Sequence, residues 1–135
     1  MKITSLDVSL NVPDAAASAE FAKRHFGFTE SMAADGFVAL SHPDAAPNLI
    51  FLDVGLPSFK PASHAGAARE GLLLALTVED LDEQFARIAA GGARVVTKPE
   101  TEPWGERFCQ FADPNGVLWQ LVQWVTEPTA QTIQN

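Results

Sequence analysis

The stretch VPDAAASAEFAKRHFG, residues 12–27, returns in altered form as VEDLDEQFARIAAG, residues 78–91. Each copy opens with Val-x-Asp, continues through Phe-Ala and a basic residue, and ends at glycine. The two phenylalanines are 64 positions apart, as are Gly27 and Gly91. A constant offset of this size in a chain of 135 residues indicates that one supersecondary unit is used twice. Two like halves placed side by side usually form a cleft between them. The repeat therefore also predicts a site in that cleft.

The first copy predicts a β-α-β-β order. Residues 6–12 alternate, with Leu6, Val8, Leu10 and Val12 on one face of a half-buried strand. Pro13-Asp14 predicts the start of a helix, which Gly27 ends. Two strands are predicted at 36–41 and 48–54, and a further short strand is possible at 28–33.

The second copy repeats this plan. Residues 72–78 are apolar on both faces, which predicts a strand covered on both sides. A helix is expected over 80–90, with Asp80 as its cap. Strands follow at 94–98, 106–112 and 117–125, and Asn115-Gly116 predicts a tight turn with positive φ before the last one.

The expected organisation is one α+β domain spanning residues 1–135. It consists of a first module at 1–56, a connector at 57–71, a second module at 72–125 and a tail at 126–135. Proline, serine, alanine, histidine and glycine dominate the connector, and no periodicity is present there. The modules can pair within one chain or exchange between two chains, and the sequence leaves both arrangements open.

Composition narrows the class of protein. Hydrophobic residues make up 47% and charged residues 19%, which is typical of a globular domain. The net charge of −8 argues against nucleic acid and anionic membranes as partners. The single cysteine excludes an internal disulfide, and no signal peptide or membrane span is recognisable. We therefore expect a soluble, cytoplasmic protein.

Several segments resemble the glyoxalase/bleomycin resistance protein/dioxygenase family of the vicinal oxygen chelate superfamily. The closing segment, Pro103 to Arg107 followed by Asp113 to Leu121, is similar to that family's last strands. The opening, Val8 to Asp14 and then Phe21 to Phe28, is similar to its first strand and helix. The resemblance covers residues 3–125 and implies two βαβββ modules whose curved mixed sheets enclose a cavity, usually in a homodimer.

The resemblance also locates four metal-ligand positions. In metal-dependent members, His, Glu or Gln ligands come from equivalent strand positions of the two modules. Those positions fall on Asp7, Ile50, Leu73 and Gln120, with Phe51 in place of Ile50 if the register slips by one. Ile50 and Leu73 have no donor atom, whereas a catalytic divalent site generally takes three protein ligands. We therefore expect neither a metal nor another cofactor.

Other metal or nucleophile signals are weak. His25, His42 and His64 are not paired at ligand spacing with another histidine or cysteine. Cys109 lies in a predicted strand and is interpreted as an inert apolar residue.

Trp104 and Arg107 are candidate ligand contacts. Trp104 lies in a loop and can stack on a planar or cationic molecule, or it can pack over the barrel end or at a dimer contact. Arg107 can bind a carboxylate or phosphate of the ligand, or it can pair with one of the many acidic residues.

If the sheets are curved as the resemblance implies, Asp7 and Asn11 line the cavity; otherwise they belong to a solvated face. Asp7 beside Gln120 would then form a polar pair on a floor that includes Ile50 and Leu73. Phe37, near the cavity rim, is a further candidate that could equally be core. Asp7 is the one weak candidate for a catalytic residue, as a general base whose pKa would need to be raised by apolar surroundings.

The function these observations favour is metal-free binding of a small aromatic or cationic molecule, as in sequestration of an antibiotic. The alternative is an enzyme of the same superfamily, a lyase, isomerase or dioxygenase acting on a small organic substrate. A third class is a non-catalytic interaction domain whose cleft is filled by side chains.

Overall fold

The computed structural model describes residues 1–126 and divides the chain into two compact units, Met1–Glu70 and a second that begins at Gly71. Each unit is one βαβββ module with a four-stranded mixed sheet. The α+β class and the two-module fold predicted from the repeat are confirmed. Residues 127–135, most of the predicted tail, lie outside the described part.

The first module has strand order β1-β4-β3-β2. Strands β1 and β4 are parallel, and the other neighbours are antiparallel. Its elements are β1 (Asp7–Val12), α1 (Ala15–Phe26), β2 (Thr29–Ala34), β3 (Phe37–Ser41) and β4 (Asn48–Asp53).

Local signals set the ends of α1. The Asp14 side chain accepts a hydrogen bond from the Ala17 N–H at the N-terminus. At the C-terminus Gly27 adopts a left-handed conformation with φ 75°, which glycine enters without steric cost. The helix packs across β1, β3 and β4. It covers the sheet face that carries Leu10, Leu40 and Phe51, each at most 2% exposed.

The second module repeats the arrangement with strand order β5-β8-β7-β6. Its elements are β5 (Leu74–Thr77), α2 (Leu81–Ala90), β6 (Arg94–Thr101), β7 (Glu106–Ala112) and β8 (Leu118–Trp124). Between the modules, residues 62–64 form one 3₁₀ turn in the connector. Helix α2 packs on β6, β7 and β8, with the Phe85 ring stacked 5.5 Å from that of Phe111.

The cap of α2 differs from the prediction. Asp80 occupies the N-cap position, but its side chain makes no capping hydrogen bond and accepts instead from Gln84 Nε2 at 3.0 Å. The first helical N–H, that of Leu81, donates to Gln123 Oε1 at 3.1 Å. Gln123, on the last strand, therefore caps the helix, which is the role predicted for Asp80.

The expectation for the first strand of the second module was wrong in detail. Strand β5 is shorter than 72–78, and Ala75 and Thr77 are exposed in this chain, so it is not covered on both faces. In the turn before β8 only Gly116 has positive φ, at 84°. The turn is held by the Asp113 carboxylate, which accepts from the N–H groups of Asn115 at 2.9 Å and Val117 at 3.0 Å.

Candidate functional site

In the first module, the sheet face opposite α1 carries a mainly apolar surface. We call it the helix-free face. Side chains alternate along a strand, so the residues between the buried ones point to this side. The register aligns two rows across β2, β3, β4 and β1: Met32, Ala39, Ile50 and Ser9, then Ala34, Phe37, Leu52 and Asn11. Rows lie about 7 Å apart along a strand. Three of the predicted ligand-binding residues, Asn11, Phe37 and Ile50, therefore share this face.

Asp7 lies at the start of β1, on the same face, and is exposed. Its register partner is Asn48, whose Nδ2 donates to Asp7 Oδ1 at 3.0 Å. Ser5 Oγ lies 3.4 Å from the other carboxylate oxygen. Asp7 is thus a hydrogen-bonded carboxylate at the polar end of an apolar surface. Asn48 was not singled out from the sequence, where nothing distinguishes it from any other strand asparagine.

Asn11 is buried, at 8% exposure, because the connector covers it. Its Nδ2 donates to the backbone carbonyls of His64 at 3.0 Å and Gly66 at 3.2 Å. The Ala68 N–H in turn donates to the Asn11 carbonyl at 2.8 Å, on the free edge of β1. Both amide protons of Asn11 are therefore used to hold the connector against the first sheet.

The second module has its own helix-free face, which carries Gln120. Cys109, Phe111, Trp119 and Leu121 point toward α2 and are at most 2% exposed, so Gln110 and Gln120 point away from it. Gln110 Nε2 donates to Gln120 Oε1 at 2.8 Å, and Thr97 Oγ1 donates to Gln110 Oε1 at 2.7 Å. Gln110 and Thr97 were missed in the sequence because only the pairing register brings them beside Gln120.

Arg107 lies on the helix-covered face of the second sheet. It is two positions from Cys109 on β7, whose side chain points toward α2, whereas Gln110 points to the other face. Its Nε and Nη2 donate to the two carboxylate oxygens of Asp82 on α2, at 2.9 and 2.6 Å. This bond lowers the pKa of the Asp82 carboxyl below its usual range. Of the two roles considered for Arg107, the structure shows the ion pair, and it does not bring Arg107 together with Gln120.

Trp104 lies in the turn between β6 and β7 and is half-buried. Its indole Nε1 donates to Glu106 Oε1 at 3.3 Å. The turn is closed by the Gly105 N–H, which donates to the Glu102 carbonyl at 2.9 Å. A Cβ at Gly105, where φ is 91°, would overlap the Thr126 side chain. The backbone around the indole is therefore tightly fixed, and its contact with a ligand stays a prediction.

The four positions that the resemblance assigns to the family's metal ligands are equivalent in pairs under the repeat. Asp7 lies five positions before Val12, and Leu73 lies five positions before Val78, the two valines that open the repeated sequence. Ile50 and Gln120 each precede the residue that caps the helix, Asp53 or Gln123, by three.

The donors at these positions do not fit the family's metal. Two of the four side chains, Ile50 and Leu73, are hydrocarbon. Leu73 also precedes β5 and is 43% exposed. Asp7 and Gln120 already accept hydrogen bonds from neighbouring amides. Within residues 1–126, no group of three or more His, Cys, Asp or Glu side chains could hold a metal ion.

The histidines have structural surroundings. The ring of His25 is buried, with its centroid 4.7 Å from that of Phe21. His42 Nε2 donates to the Phe26 carbonyl at the end of α1, and its Nδ1 accepts from the Asp44 N–H. Exposed His64 lies in the connector with Nδ1 3.0 Å from Ser63 Oγ.

Comparisons with known proteins agree with this geometry. Residues 4–121 match the model of the Glyoxalase/Bleomycin resistance protein/Dioxygenase superfamily. An uncharacterized protein of Mycobacterium bovis is 31% identical over 144 residues, covering 96% of this chain and 90% of that protein.

Two solved structures show the same fold. A glyoxalase/bleomycin resistance protein/dioxygenase from Nocardioides has a TM-score of 0.72 at 23% identity, covering 96% of this chain and 89% of its own. A lactoylglutathione lyase from Agrobacterium tumefaciens has a TM-score of 0.70 at 17% identity, covering 91% and 96%. No helix among the described residues is long and apolar enough to span a membrane. The chain belongs to the glyoxalase/bleomycin resistance protein/dioxygenase superfamily.

Proposed function

We propose that this protein binds a small aromatic or cationic molecule without a catalytic metal, as a homodimer, in the manner of antibiotic sequestration. The observation that carries the proposal is the helix-free face of the first module. There the apolar side chains of Phe37, Ile50 and Leu52 lie on the same surface as the exposed carboxylate of Asp7. Small-molecule sites are usually apolar with a few placed polar groups.

The charge of the chain supports the cationic part of the proposal. The net charge is −8, so the protein attracts a cation at long range and repels an anion. Asp7 adds a carboxylate on the apolar face, and Asn48 holds one of its oxygens at 3.0 Å. A planar cation could place its ring on the apolar side chains while its charge faces Asp7.

The side chains at the predicted metal-ligand positions support binding without a metal. The superfamily's metal chemistry needs ligand atoms at positions that Ile50 and Leu73 occupy here with hydrocarbon. If the protein is instead a lyase, isomerase or dioxygenase of the superfamily, its metal must be held by a different set of residues. Metal content therefore separates the two functions.

Calorimetric titration with proflavine, a planar cation, tests the proposal. We expect saturable binding that Asp7→Asn weakens about 1.5- to fivefold, the effect of losing one exposed ion pair. The matched control Asp44→Asn removes an exposed carboxylate from a loop and should leave binding unchanged. Native mass spectrometry and metal analysis of protein purified without chelators complete the test. Stoichiometric metal, or no saturable binding, would overturn the proposal.

A further inference from the structure

Two tryptophans and a glutamate lie together at one end of the helix-free face of the second sheet. Glu106 on β7 and Trp124 on β8 are register partners. Both side chains point away from α2, because their sequence neighbours Arg107 and Gln123 bind that helix. Trp104, in the turn before β7, donates from its indole Nε1 to Glu106 Oε1 at 3.3 Å. We call Trp104, Glu106 and Trp124 the aromatic corner.

The strand pairing brings Glu106 and Trp124 close to each other. The Val125 N–H donates to the Gly105 carbonyl at 2.9 Å, which makes that position a hydrogen-bonded pair of the antiparallel ladder. The adjacent pair, Glu106 and Trp124, is therefore of the non-hydrogen-bonded kind, in which side chains lie closest across the two strands. Phe108 lies one row further along β7 on the same face, about 7 Å away, and extends the aromatic surface.

The aromatic corner is open to a ligand. Its three side chains are each half-buried. Within residues 1–126, no hydrogen bond or ring contact engages the Trp124 indole, and the Glu106 carboxylate accepts only from Trp104. Trp119, the third tryptophan, differs in both respects, since it is 1% exposed and its indole donates to Asp113 at 3.4 Å. The corner therefore presents aromatic surface beside a carboxylate, whereas Trp119 is part of the core.

These surroundings favour a cation that carries alkyl groups. The face of an indole ring attracts a cation, and Glu106 adds a full negative charge. The side chains of the corner offer one carboxylate as an acceptor, whereas the indole N–H groups can only donate. A primary ammonium has three N–H donors and would lose most of its hydrogen bonds to water here. A quaternary ammonium has no N–H group, and its methyl groups can pack on the rings.

We propose that the aromatic corner binds an alkylated ammonium group, with Trp104 and Trp124 contacting its methyl groups and Glu106 supplying the opposite charge. The inference goes beyond the proposed function, which is carried by residues of the first module. Trp124 is four residues from Gln120 along β8, or about 13 Å. The corner is therefore also separate from the position that the resemblance assigns to a metal ligand.

Three small probes test the inference on the full chain. Choline carries a trimethylammonium group, its carbon isostere has an uncharged tert-butyl group in that place, and ethanolamine has a primary ammonium. Binding is followed by the indole N–H signals in proton–nitrogen NMR spectra, assigned with Trp104→Phe and Trp124→Phe. We expect choline to shift the Trp104 and Trp124 signals saturably and to leave Trp119 as an internal reference. Choline should bind at least about twofold more tightly than either analogue.

Substitutions locate the site. Trp124→Leu should weaken choline binding about two- to fivefold, the loss of one exposed cation–π contact, and Trp124→Phe should retain part of the affinity. Glu106→Gln keeps an oxygen acceptor for the Trp104 indole but removes the charge, and it should weaken choline about 1.5- to fivefold. The matched control Glu83→Gln makes the same change of net charge on an exposed position of α2 and should leave choline binding unchanged.

The outcomes separate this inference from the proposed function. Ethanolamine or the isostere binding as tightly as choline, or choline affinity that Glu106→Gln and Trp124→Leu leave unchanged, overturns the inference. Proflavine binding that depends on Asp7 would then still support the proposed function. Intact choline binding without saturable proflavine binding overturns the proposed function alone. Selective weakening of choline by Glu106→Gln and Trp124→Leu, but not by Glu83→Gln, supports the inference.

Discussion

The Asp53 carboxylate accepts a hydrogen bond from the backbone N–H of Ala15, with 2.8 Å between Oδ1 and N. Asp53 ends the last strand of the first module, and Ala15 is the first residue of its helix. The second module has the same relationship between Gln123 and Leu81, at 3.1 Å. In both modules the last strand therefore caps the helix, which ties the two ends of each βαβββ unit together.

Replacing Asp53 with alanine should destabilise the protein by about 1–2 kcal/mol, because a buried helix N-terminus loses a charged cap. The free energy of unfolding, measured by urea denaturation, checks this. Asp44→Ala, in an exposed loop, makes the same change of charge and should have an effect below about 0.5 kcal/mol. Equal losses in the two variants would contradict a capping role for Asp53.

The lengths of the two helices explain the spacing of the repeat. Val12 and Val78 are 66 positions apart, whereas Gly27 and Gly91 are 64 apart. Helix α1 has 12 residues and α2 has 10, which accounts for the difference. The ends of α1 were predictable because Asp14 and Gly27 act on their own neighbours. The Gln123 cap was not, because it joins residues 42 positions apart and glutamine carries no capping signal.

The ion pair between Asp82 and Arg107 should make a small, pH-dependent contribution to stability. The hydrogen bond from Arg107 lowers the pKa of Asp82 in the folded state. A lowered carboxyl pKa stabilises the fold above the unfolded pKa of about 3.9, and this contribution is lost as pH falls through the folded pKa. The Asp82 side chain is 62% exposed, so solvent screening limits the pair to about 0.2–1 kcal/mol.

Urea denaturation of Asp82→Asn tests this pH dependence. The variant should be less stable than the original protein at pH 7, and the difference should disappear at an acidic pH below the folded pKa of Asp82, where the original carboxyl also becomes neutral. High salt should reduce the difference at pH 7. A difference of the same size at both pH values would show that Asp82 acts by packing, not by charge.

The candidate site was harder to predict than the fold. Alternation along β1 put Asp7 on the face opposite the helix-packing side, and the resemblance placed Ile50 on the same surface. The register of β1 and β4 brings both side chains to one face. The partners of those residues depend on register between strands, so Asn48 beside Asp7 appeared only in the structure. The partner of Arg107 could not be predicted for the same reason, because Asp82 is 25 positions away in the sequence and lies on a helix.

Cys109 should be unreactive in the folded protein. Burial raises the pKa of its thiol to about 11, so almost no thiolate is present at pH 8. We expect Ellman's reagent to label native protein very slowly and to label the single cysteine rapidly in 6 M guanidinium chloride. Rapid labelling under native conditions would mean that β7 opens to solvent much more often than its burial suggests.

Asn11 should control how firmly the connector is held. Its side chain donates to the carbonyls of His64 and Gly66, and these contacts join residues 53 and 55 positions apart. Asn11→Ala removes both hydrogen bonds, worth about 1–3 kcal/mol together. Local opening of the connector should then become about five- to a hundredfold more frequent.

Limited trypsin digestion measures that opening, because Arg69 provides a cleavage site at one end of the held segment, whereas Lys60 precedes Pro61 and is not cleaved. Cleavage after Arg69 should be faster in Asn11→Ala, and the free energy of global unfolding should fall by a similar amount, because both the locally open and the unfolded chain lack these hydrogen bonds. Ser9→Ala, an exposed position on the same face of β1, is the matched control and should digest like the original protein. If Asn11→Ala leaves the cleavage rate unchanged, the connector is held by its backbone bonds, such as that from Ala68 to the Asn11 carbonyl, and the Asn11 side chain adds little to them.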